Sequence, residues 1–502
     1  MSSYRGGGSG SRGAGSHGGN SYRGGGGKRG LLHTGAGGSA NAVARDLADE
    51  RRALVTSIRA RVRADEQSFD SSVGYARCDD TSTRTAYLVT MCAAILTGED
   101  NTEHAALDLF FLEQDGSTFK ASVLAAPYFY VSCLQPSAGG RGGLAVGAGG
   151  VGLLYKDVLP GGAANERERE VQAAVDRLLS PRLAGAAWVE REDLSVANHL
   201  AGGRQRLLRL AARTQADQSA MVRLLRPYVD RNAVLTARGE SLEAEAAASG
   251  EPLRLLAELR EFDVPYVARV SIDLEIRCGK WYDVTGEVAG SGSEAGVAAP
   301  APMVNAIGST GLPVALGTPH LPAPVKGLST LVALSEPPNV HAPRVCAFDI
   351  ECTKAPLKFP DAATDSIYMI SYMVDGIGFL LVNREVVSED VPDFDYTPLD
   401  EYPGPFTVVN LADEAAVLRH WIDHMRDLKI NIYVTYNGDY FDWPFIDARA
   451  RVHGLSVKAS LGIVPIAQNG RDIDAGGGDG GGVGGYGTDV EWRGRTAVHI
   501  DW

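Results

Sequence analysis

Residues 344–453 contain short apolar segments separated first by turns and then by amphipathic segments, and this order restricts the possible folds more than any other feature. We predict strands at 344–351, 366–374, 378–382, 405–409 and 430–436, and helices at 412–428 and 442–453. Three neighbouring strands followed by alternating helices and strands fit a mixed sheet with helices packed on it. The sequence therefore predicts an α/β domain in this part of the chain.

Two acidic residues end the first of these strands. Asp349 and Glu351 flank Ile350 in the stretch RVCAFDIECTKAPLKFP. Because residues i and i+2 of a strand point to the same face, the two carboxylates project side by side while Ile350 enters the core. Mg²⁺ is held in proteins by one or two carboxylates together with phosphate oxygens. The pair indicates a metal-phosphate site, and the alternative is a solvated acidic pair at a strand end.

A second acidic motif follows the strand at 430–436. The segment VTYNGDYFDWPF places a turn at Asn437 and Gly438 and predicts a helix that begins near Asp442. An acidic residue is favoured there as a helix cap and by the helix dipole. A capping role does not exclude a metal role, and Asp439 is the nearest rival as a ligand.

These two motifs together resemble exonuclease motifs I and II of the family B DNA polymerases. The similarity is dense from Arg344 to Ser456 and returns upstream in shorter patches such as REFDVPYVARVSIDLEIRCGKWYDV. The resemblance implies a multidomain α/β and α+β fold, in which an amino-terminal family B polymerase domain precedes a partial ribonuclease-H-like exonuclease domain. It also implies template-dependent DNA synthesis with 3′–5′ proofreading by the full-length enzyme in the nucleus.

The resemblance also implies roles for individual residues. Asp349 would bridge two Mg²⁺ ions, Glu351 would bind one of them and orient the attacking water, and Asp442 would hold the second ion directly or through water. The motif II asparagine and aromatic residue of the family lie along the single-stranded 3′ end of the primer, which corresponds here to Asn437 and Phe441. For Phe441, ordinary core packing is the alternative.

Two further residues follow the first acidic pair. Lys354 is a candidate contact with the DNA backbone, and a solvated surface lysine is the alternative. Cys352 stands where the family commonly has threonine. Because it follows Glu351 directly, we expect it to face away from the metals as a core thiol.

Changes in composition divide the rest of the chain. Residues 1–40 are rich in Gly, Arg and Ser without any acidic residue, which predicts a disordered tail. Residues 41–284 mix helical and strand patterns, which predicts an amino-terminal α+β domain. Residues 285–343 are rich in Gly, Ala and Pro and predict a linker or disordered insertion, and a Gly-rich insertion is predicted at 469–489 within the last domain, 344–502.

Within the amino-terminal domain, the local patterns are specific enough to place elements. Helices are predicted at 41–66 and 164–180 and within 215–259, and strands at 86–92, 107–113, 119–124, 127–132, 185–190 and Val267–Arg277. The segment 206–212 fits either type of element. Near the end of the chain, AVHID predicts a short strand.

Charge and cysteine usage limit the classes of function. The net charge is −14, so contact with DNA must be local and assisted by metal ions. The six cysteines are scattered without a Cys-x-x-Cys pair, which is typical of reduced thiols. We find neither a secretory leader nor an apolar run long enough for a bilayer, and we expect a soluble, intracellular chain without membrane contact.

The third exonuclease motif of the family, Tyr-x-x-x-Asp, does not follow Asp442. Tyr486 and Asp489 are one residue too close together, and Asp501 belongs to a different segment, HID. We therefore expect an amino-terminal part of a longer polymerase that ends inside the exonuclease domain and is a weak or inactive nuclease alone.

The resemblance extends to the partners and cofactors of the longer enzyme. Its partners would be DNA, the other polymerase subunits and replisome proteins, and an iron–sulfur cluster or zinc would belong only to a missing carboxy-terminal region. The alternative function is a non-catalytic DNA-binding or scaffold product.

Overall fold

The structure is a computed structural model that describes residues 37–77, 82–98, 101–133, 159–160, 164–192, 204–286, 329–334, 343–397, 404–467 and 490–502. The chain divides into two units, Met1–Asp65 and Glu66–Trp502. Most of the predicted tail and the whole predicted insertion at 469–489 lie outside the described residues. The second unit contains residues 66–284 of the predicted amino-terminal domain and all of the predicted last domain, and the division at 284 and 344 stays a prediction.

Helix α1 (Gly37–Ser72) contributes the described residues of the first unit. It confirms the helix predicted at 41–66 and extends it in both directions. Leu54, Ile58 and Val62 recur at four-residue intervals and are each about half exposed. Residues spaced in this way share one face of a helix.

The second unit combines helices and strands. Its described helices are α2 (Glu166–Leu179), α3 (Gln215–Ala237), α4 (Leu242–Ser249), α5 (Tyr266–Asp273), α6 (Glu414–Leu428), α7 (Asp442–Val452) and α8 (Val457–Leu461), with a 3-10 helix at Pro252–Leu255. The amino-terminal strands are β1 (Ala76–Arg77), β2 (Thr83–Thr97), β3 (Glu103–Glu113), β4 (Thr118–Leu124), β5 (Tyr128–Cys133), β6 (Leu159–Pro160), β7 (Leu183–Glu192), β8 (Arg204–Ala212), β9 (Leu256–Arg260), β10 (Trp281–Gly286) and β11 (Ser329–Ala333). The later strands are β12 (Val345–Cys352), β13 (Ile367–Val374), β14 (Ile377–Asn383), β15 (Phe394–Asp395), β16 (Pro405–Leu411), β17 (Ile432–Thr435), β18 (Ile463–Ala467), β19 (Val490–Gly494) and β20 (Val498–Asp501).

Two mainly antiparallel sheets lie in the amino-terminal part of this unit. One has the strand order β1-β4-β3-β2-β10-β11, and the other has the order β6-β7-β8-β5-β9. Helices α2 and α3 contribute Val175 and Leu225 to the hydrophobic core of the second sheet. Separate helices and antiparallel strands are the content expected of an α+β region.

The carboxy-terminal sheet has the order β15-β16-β14-β13-β12-β17-β20. Strand β12 pairs antiparallel with β13 and parallel with β17, which in turn pairs parallel with β20. The rings of Trp421 in α6 and Trp443 in α7 lie 5.1 and 4.9 Å from that of Phe348 in β12, so both helices pack on the sheet. This arrangement confirms the predicted mixed α/β fold and brings the carboxyl ends of β12, β17 and β20 to one edge.

The strand predicted at Val267–Arg277 is wrong, because α5 occupies most of this segment. Hydrophobic residues in the sequence alternate there, but Tyr266, Val270 and Leu274 also recur at four-residue intervals. The structure uses the second pattern, since Val270 and Leu274 are buried while Ile272 is 45% exposed. When a segment fits both periods, the surface available for burial decides whether it forms a strand or a helix.

Strands β9 and β11 lie in segments for which another kind of structure was predicted. Strand β9 lies inside the segment interpreted as helical, and it pairs antiparallel with β5. Strand β11 lies inside the predicted linker at 285–343 and pairs antiparallel with β10. Both are five residues long, and their stability comes from partners that are distant in sequence.

A buried ionic cluster joins the amino-terminal strands to the turn between β19 and β20. Asp70 is 1% exposed, and it accepts hydrogen bonds from Lys120 Nζ at 2.6 Å and from Arg495 Nε at 2.7 Å. Asp108 lies 3.1 Å from Lys120 and 3.5 Å from Arg495. We call these four residues the Asp70 cluster. Its two acids and two bases balance in charge, which is the condition for burying such groups.

The described cysteines are Cys92, Cys133, Cys278, Cys346 and Cys352, and each has a free thiol. Within the described part of the chain, no helix combines the length and the apolar character that crossing a bilayer requires.

Candidate active site

The first acidic pair lies on the exposed face of β12. Burial alternates along this strand, with Phe348 and Ile350 buried and Asp349 and Glu351 exposed. The two carboxylates therefore project from the same face, as the period of two predicts. The register of the pairing with β13 then shifts between Glu351 and Cys352.

Asp442 is the first residue of α7, and its side chain contacts β12. It is 1% exposed, and its Oδ1 accepts a hydrogen bond of 3.2 Å from the backbone N–H of Ile350. Burial raises the pKa of Asp442 to about 7, and the adjacent charge of Asp349 and a hydrogen bond with its side chain contribute to the rise. The helix and the strand thus bring together two acids that are 93 positions apart in the sequence.

The chemistry of this pair fits a cation. Two carboxylates in contact cannot both ionise at low cost, so one retains a proton unless a positive ion replaces it. Among the described residues, no group of three or more His, Cys, Asp or Glu side chains is arranged to hold a metal ion. Mg²⁺ usually keeps several waters and uses one or two carboxylates with substrate phosphates, so it does not require such a cage.

The turn between β17 and α7 carries two of the candidate DNA contacts. Asn437 is exposed and has a φ of 59°, a left-handed conformation that asparagine tolerates better than most residues. At Gly438, a Cβ atom would lie 2.3 Å from Oγ1 of Thr435, so only glycine fits. The close approach of this backbone to Thr435 fixes where the turn leaves the sheet.

Phe441 combines contact with the core and proximity to the surface. It is partly buried, and its ring centroid lies 5.7 Å from that of Phe445 and 6.0 Å from that of Phe359, which is 68% exposed. Phe359 belongs to the loop after β12, which also carries the exposed Lys354. The loop with the candidate phosphate contact therefore lies next to the candidate base contact.

Asp439, the rival ligand, is occupied elsewhere. Its Oδ1 accepts a hydrogen bond of 2.7 Å from the backbone N–H of Trp492 and lies 3.3 Å from Nδ1 of His499. These contacts tie Asp439 to β19 and β20. The geometry thus favours Asp442 as the acid that faces Asp349.

Strand β20 contributes two polar side chains to the same turn, and the sequence alone did not show what they bind. Asp501 accepts hydrogen bonds from Thr435 and from two backbone N–H groups of the turn, while His499 Nε2 lies 2.7 Å from Oγ1 of Thr435. Burial alone would lower the pKa of His499, but hydrogen bonds to Asp439 and to the carbonyl of Trp492 raise it. The predicted strand AVHID was the only available signal.

Cys352 packs against the hydrophobic core, as predicted. Burial raises the pKa of its thiol, and the charges of Asp442 and Glu351 contribute to the rise. That the thiol faces away from the carboxylates stays a prediction.

Glu414 supports the helices behind the site. This buried carboxylate accepts hydrogen bonds from Ile367 N at 2.8 Å, from Arg449 Nε at 2.9 Å and from His453 Nε2 at 2.7 Å. Burial alone would raise the pKa of Glu414, but these hydrogen bonds lower it. The contacts connect the start of α6 to β13 and to the end of α7.

Comparisons with known proteins show which sequences this chain is similar to. Residues 257–474 match the family described as DNA polymerase family B, exonuclease domain. The chain is 35% identical over 407 residues to a DNA polymerase epsilon catalytic subunit of Arabidopsis thaliana, an alignment that covers 80% of this chain. It is 34% identical over 366 residues to a DNA polymerase epsilon catalytic subunit of Saccharomyces cerevisiae, covering 72% of this chain.

These relatives are much longer than the chain. The alignments cover 16% of the Arabidopsis thaliana protein and 13% of the Saccharomyces cerevisiae protein. A solved family B DNA polymerase from Pyrobaculum calidifontis superposes with a TM-score of 0.43 at 15% identity, covering 83% of this chain and 36% of that one.

Proposed function

The chain is related to the catalytic subunits of DNA polymerase epsilon, and its residues 257–474 to the exonuclease domain of family B DNA polymerases, and from this premise we propose that the site binds Mg²⁺ and a single-stranded DNA 3′ end. The proposed metal ligands and catalytic residues are Asp349, Glu351 and Asp442. The proposed reaction is hydrolytic removal of the terminal nucleotide.

The observation that carries this proposal is the contact between Asp349 and Asp442. One acid is exposed on β12, the other is buried at the start of α7, and the charge of Asp349 disfavours the ionisation of Asp442. A pair of crowded carboxylates has no structural advantage over a neutral pair. A divalent ion bound together with a phosphate would remove the repulsion between the two carboxylates, and this favours its binding.

Each side chain of the site has its own role in the proposed reaction. When bound, two Mg²⁺ ions would activate a water and neutralise the leaving 3′-oxygen. Asp349 would bind both ions, and Glu351 would accept a hydrogen bond from the water and so orient it. Asn437 would donate its amide N–H to the terminal sugar or phosphate, and the ring of Phe441 would stack on the last base without reading its identity.

Lys354 is the basic residue proposed to contact the DNA backbone. Lys354 lies on the exposed loop after β12, where it would meet a phosphate of the bound strand. With a net charge of −14, the chain gains little from general electrostatic attraction to DNA. Binding should therefore depend on divalent ions more than on salt.

For the whole protein, we propose template-dependent DNA synthesis with proofreading during nuclear DNA replication, together with further polymerase subunits. The relatives named above support this role. The second candidate, a DNA-binding or scaffold product without catalysis, shares the DNA contacts of the site but does not need its acids.

The test measures Mn²⁺ binding by electron paramagnetic resonance and binding of a 3′-labelled single-stranded oligonucleotide by fluorescence anisotropy. We compare the chain with Asp349→Ala/Glu351→Ala and with Glu389→Ala/Asp390→Ala, which removes two exposed acids from the loop before β15. The first variant should lose Mn²⁺ binding and metal-dependent DNA binding, and the second should keep both.

Degradation of the oligonucleotide is measured in parallel. Any shortening by the chain must disappear in Asp349→Ala/Glu351→Ala, and shortening that survives contradicts the assignment. DNA binding that is equal in all three proteins and independent of metal would favour the scaffold function.

A further inference from the structure

The proposed chemistry does not use the contacts of Asp501, which lies next to the site. Its Oδ1 accepts a hydrogen bond of 2.9 Å from Oγ1 of Thr435 and one of 2.7 Å from the backbone N–H of Gly438. Its Oδ2 accepts a third, of 3.1 Å, from the backbone N–H of Asp439. A carboxylate that accepts several backbone N–H groups is a strong, charge-assisted anchor.

The pairing of the strands explains why Asp501 reaches this turn. Strands β17 and β20 are parallel, and their register places Asp501 opposite Thr435, the last residue of β17. The backbone of the final residue also takes part, since Trp502 N donates to Thr435 O at 3.0 Å and Asn437 N donates to Trp502 O at 3.2 Å. Hydrogen bonds with Asp501 and with the backbone of Trp502 therefore hold the turn.

Thr435 shows how the anchor is completed. Its hydroxyl has one hydrogen, which is donated to Asp501, so Nε2 of His499 must donate to Thr435 Oγ1. The second ring nitrogen of His499 lies 3.0 Å from the carbonyl oxygen of Trp492, which can only accept. Both ring nitrogens of His499 thus face oxygen atoms, and the hydrogen bonds to Asp439 and to the carbonyl of Trp492 raise its pKa.

The turn held in this way leads directly to the proposed site. Asn437 lies inside it, and α7 begins with Asp442 three residues after Asp439. The backbone N–H of Trp443 donates to the carbonyl of Gly438 at 3.0 Å, so the turn and the first turn of the helix are one hydrogen-bonded segment. A shift of the turn would move the carboxylate of Asp442 relative to Asp349.

We propose that Asp501 is a positioning residue, which holds the Thr435–Asp439 turn so that Asp442 and Asn437 face the acidic pair of β12. This inference rests on the proposed metal and DNA site. Asp501 itself touches neither metal nor DNA, and it acts through the backbone of the turn. Substitution of a residue that orients metal ligands in this way commonly lowers metal affinity by about 10–100-fold.

The test uses the full chain and the variants Asp501→Ala and Asp501→Asn. Asparagine keeps one acceptor oxygen and turns its NH₂ group towards the N–H of Asp439, so Asp501→Asn should be intermediate. The matched control is Asp393→Ala, because Asp393 Oδ1 also accepts from a backbone N–H, that of Val408 at 2.7 Å, at the far edge of the same sheet.

Two quantities are measured in each protein. Hydrogen–deuterium exchange of the peptide 436–442 should be at least about tenfold faster in Asp501→Ala than in the unmodified chain, and Mn²⁺ affinity should fall by about 10-fold or more. Asp393→Ala should change neither. Unchanged exchange in Asp501→Ala, or faster exchange with unchanged Mn²⁺ affinity, would overturn the inference.

The outcome also separates this inference from the proposed function. If Asp349→Ala/Glu351→Ala leaves Mn²⁺ binding intact, the proposed metal site is wrong. The exchange of peptide 436–442 then decides by itself whether Asp501 holds the turn.

Discussion

The backbone N–H of Ile350 donates a hydrogen bond to Oδ1 of Asp442, which connects the middle of the site strand to the first residue of the helix beside it. The donor belongs to the residue between the two acids of β12. This contact holds the buried acid beside Asp349 through the backbone of β12. The exposed carboxylate of Glu351 takes no part in it.

Replacing Asp442 by Asn should change how the stability of the metal-free chain depends on pH. In the folded chain the pKa of Asp442 is about 7, above its ordinary value, so the folded state binds more protons than the unfolded state between about pH 4 and 7. Stability contributed by this group is therefore present at low pH and is lost as the pH rises through 7. Asp442→Asn should remove this loss and be more stable than the unmodified chain at pH 8, by on the order of 2–4 kcal/mol.

Urea denaturation at pH 5 and pH 8, with a chelator present, measures this difference. Mn²⁺ at pH 8 should stabilise the unmodified chain and not Asp442→Asn. Parallel pH profiles for the two proteins would show that Asp442 does not titrate in this range.

Replacing Arg495 by Ala should be strongly destabilising. It leaves the buried Asp70 and Asp108 with Lys120 as the remaining base of the Asp70 cluster. Breaking a buried ion pair by removing one partner typically costs 3–5 kcal/mol, and we expect a loss of about that size in the free energy of unfolding.

The control for Arg495 is Arg493→Ala, two residues away. Arg493 pairs with Glu491, but both side chains are about half exposed, so its loss should cost less than about 1 kcal/mol. Equal effects of the two substitutions in urea denaturation would contradict the importance of burial in the Asp70 cluster.

Replacing Gly438 by Ala should disturb the turn through a steric clash. The new Cβ would lie 2.3 Å from Oγ1 and 2.5 Å from Cβ of Thr435, and overpacking of this kind typically costs 1–3 kcal/mol. Because Thr435 also binds Asp501, Mn²⁺ affinity should fall together with stability.

Gly454→Ala is the comparison for this substitution. Gly454 has a φ of 71° with no atom within 4 Å of a new Cβ, so alanine there costs backbone strain of about 1–2 kcal/mol without any clash. Calorimetric titration with Mn²⁺ should show weaker binding in Gly438→Ala and unchanged binding in Gly454→Ala.

The sequence was most informative where local periodicity and tertiary burial agree. Strand β12 alternates between buried and exposed residues along its whole length, so the shared face of Asp349 and Glu351 was predictable. Helices α6 and α7 also begin and end within two residues of their predicted limits. In contrast, α5 fits two periods, and β9 and β11 depend on pairing with distant strands.

The contacts around the acids were less predictable than the acids themselves. Asp501 reaches Gly438 because two strands pair in parallel with one particular register. The pairing of β12 with β13 shifts in register after Glu351. Neither this shift nor the register of β17 and β20 leaves a pattern in a single sequence, since both are set by packing across the sheet.

The Asp70 cluster can form only late in translation, because one of its four residues is synthesised long after the others. Asp70 and Arg495 are 425 residues apart, so Asp70 in α1 and Asp108 in β3 leave the ribosome with only Lys120 of the cluster to pair with them. At about 5–20 residues per second, the interval between the synthesis of Lys120 and that of Arg495 is roughly 20–75 s. During that time Asp70 and Asp108 carry one more negative charge than Lys120 balances, so these side chains stay hydrated. Nascent chains stalled before residue 495 should therefore exchange the amide hydrogen of Tyr75, which is bonded to Asp70 O, faster than completed chains do.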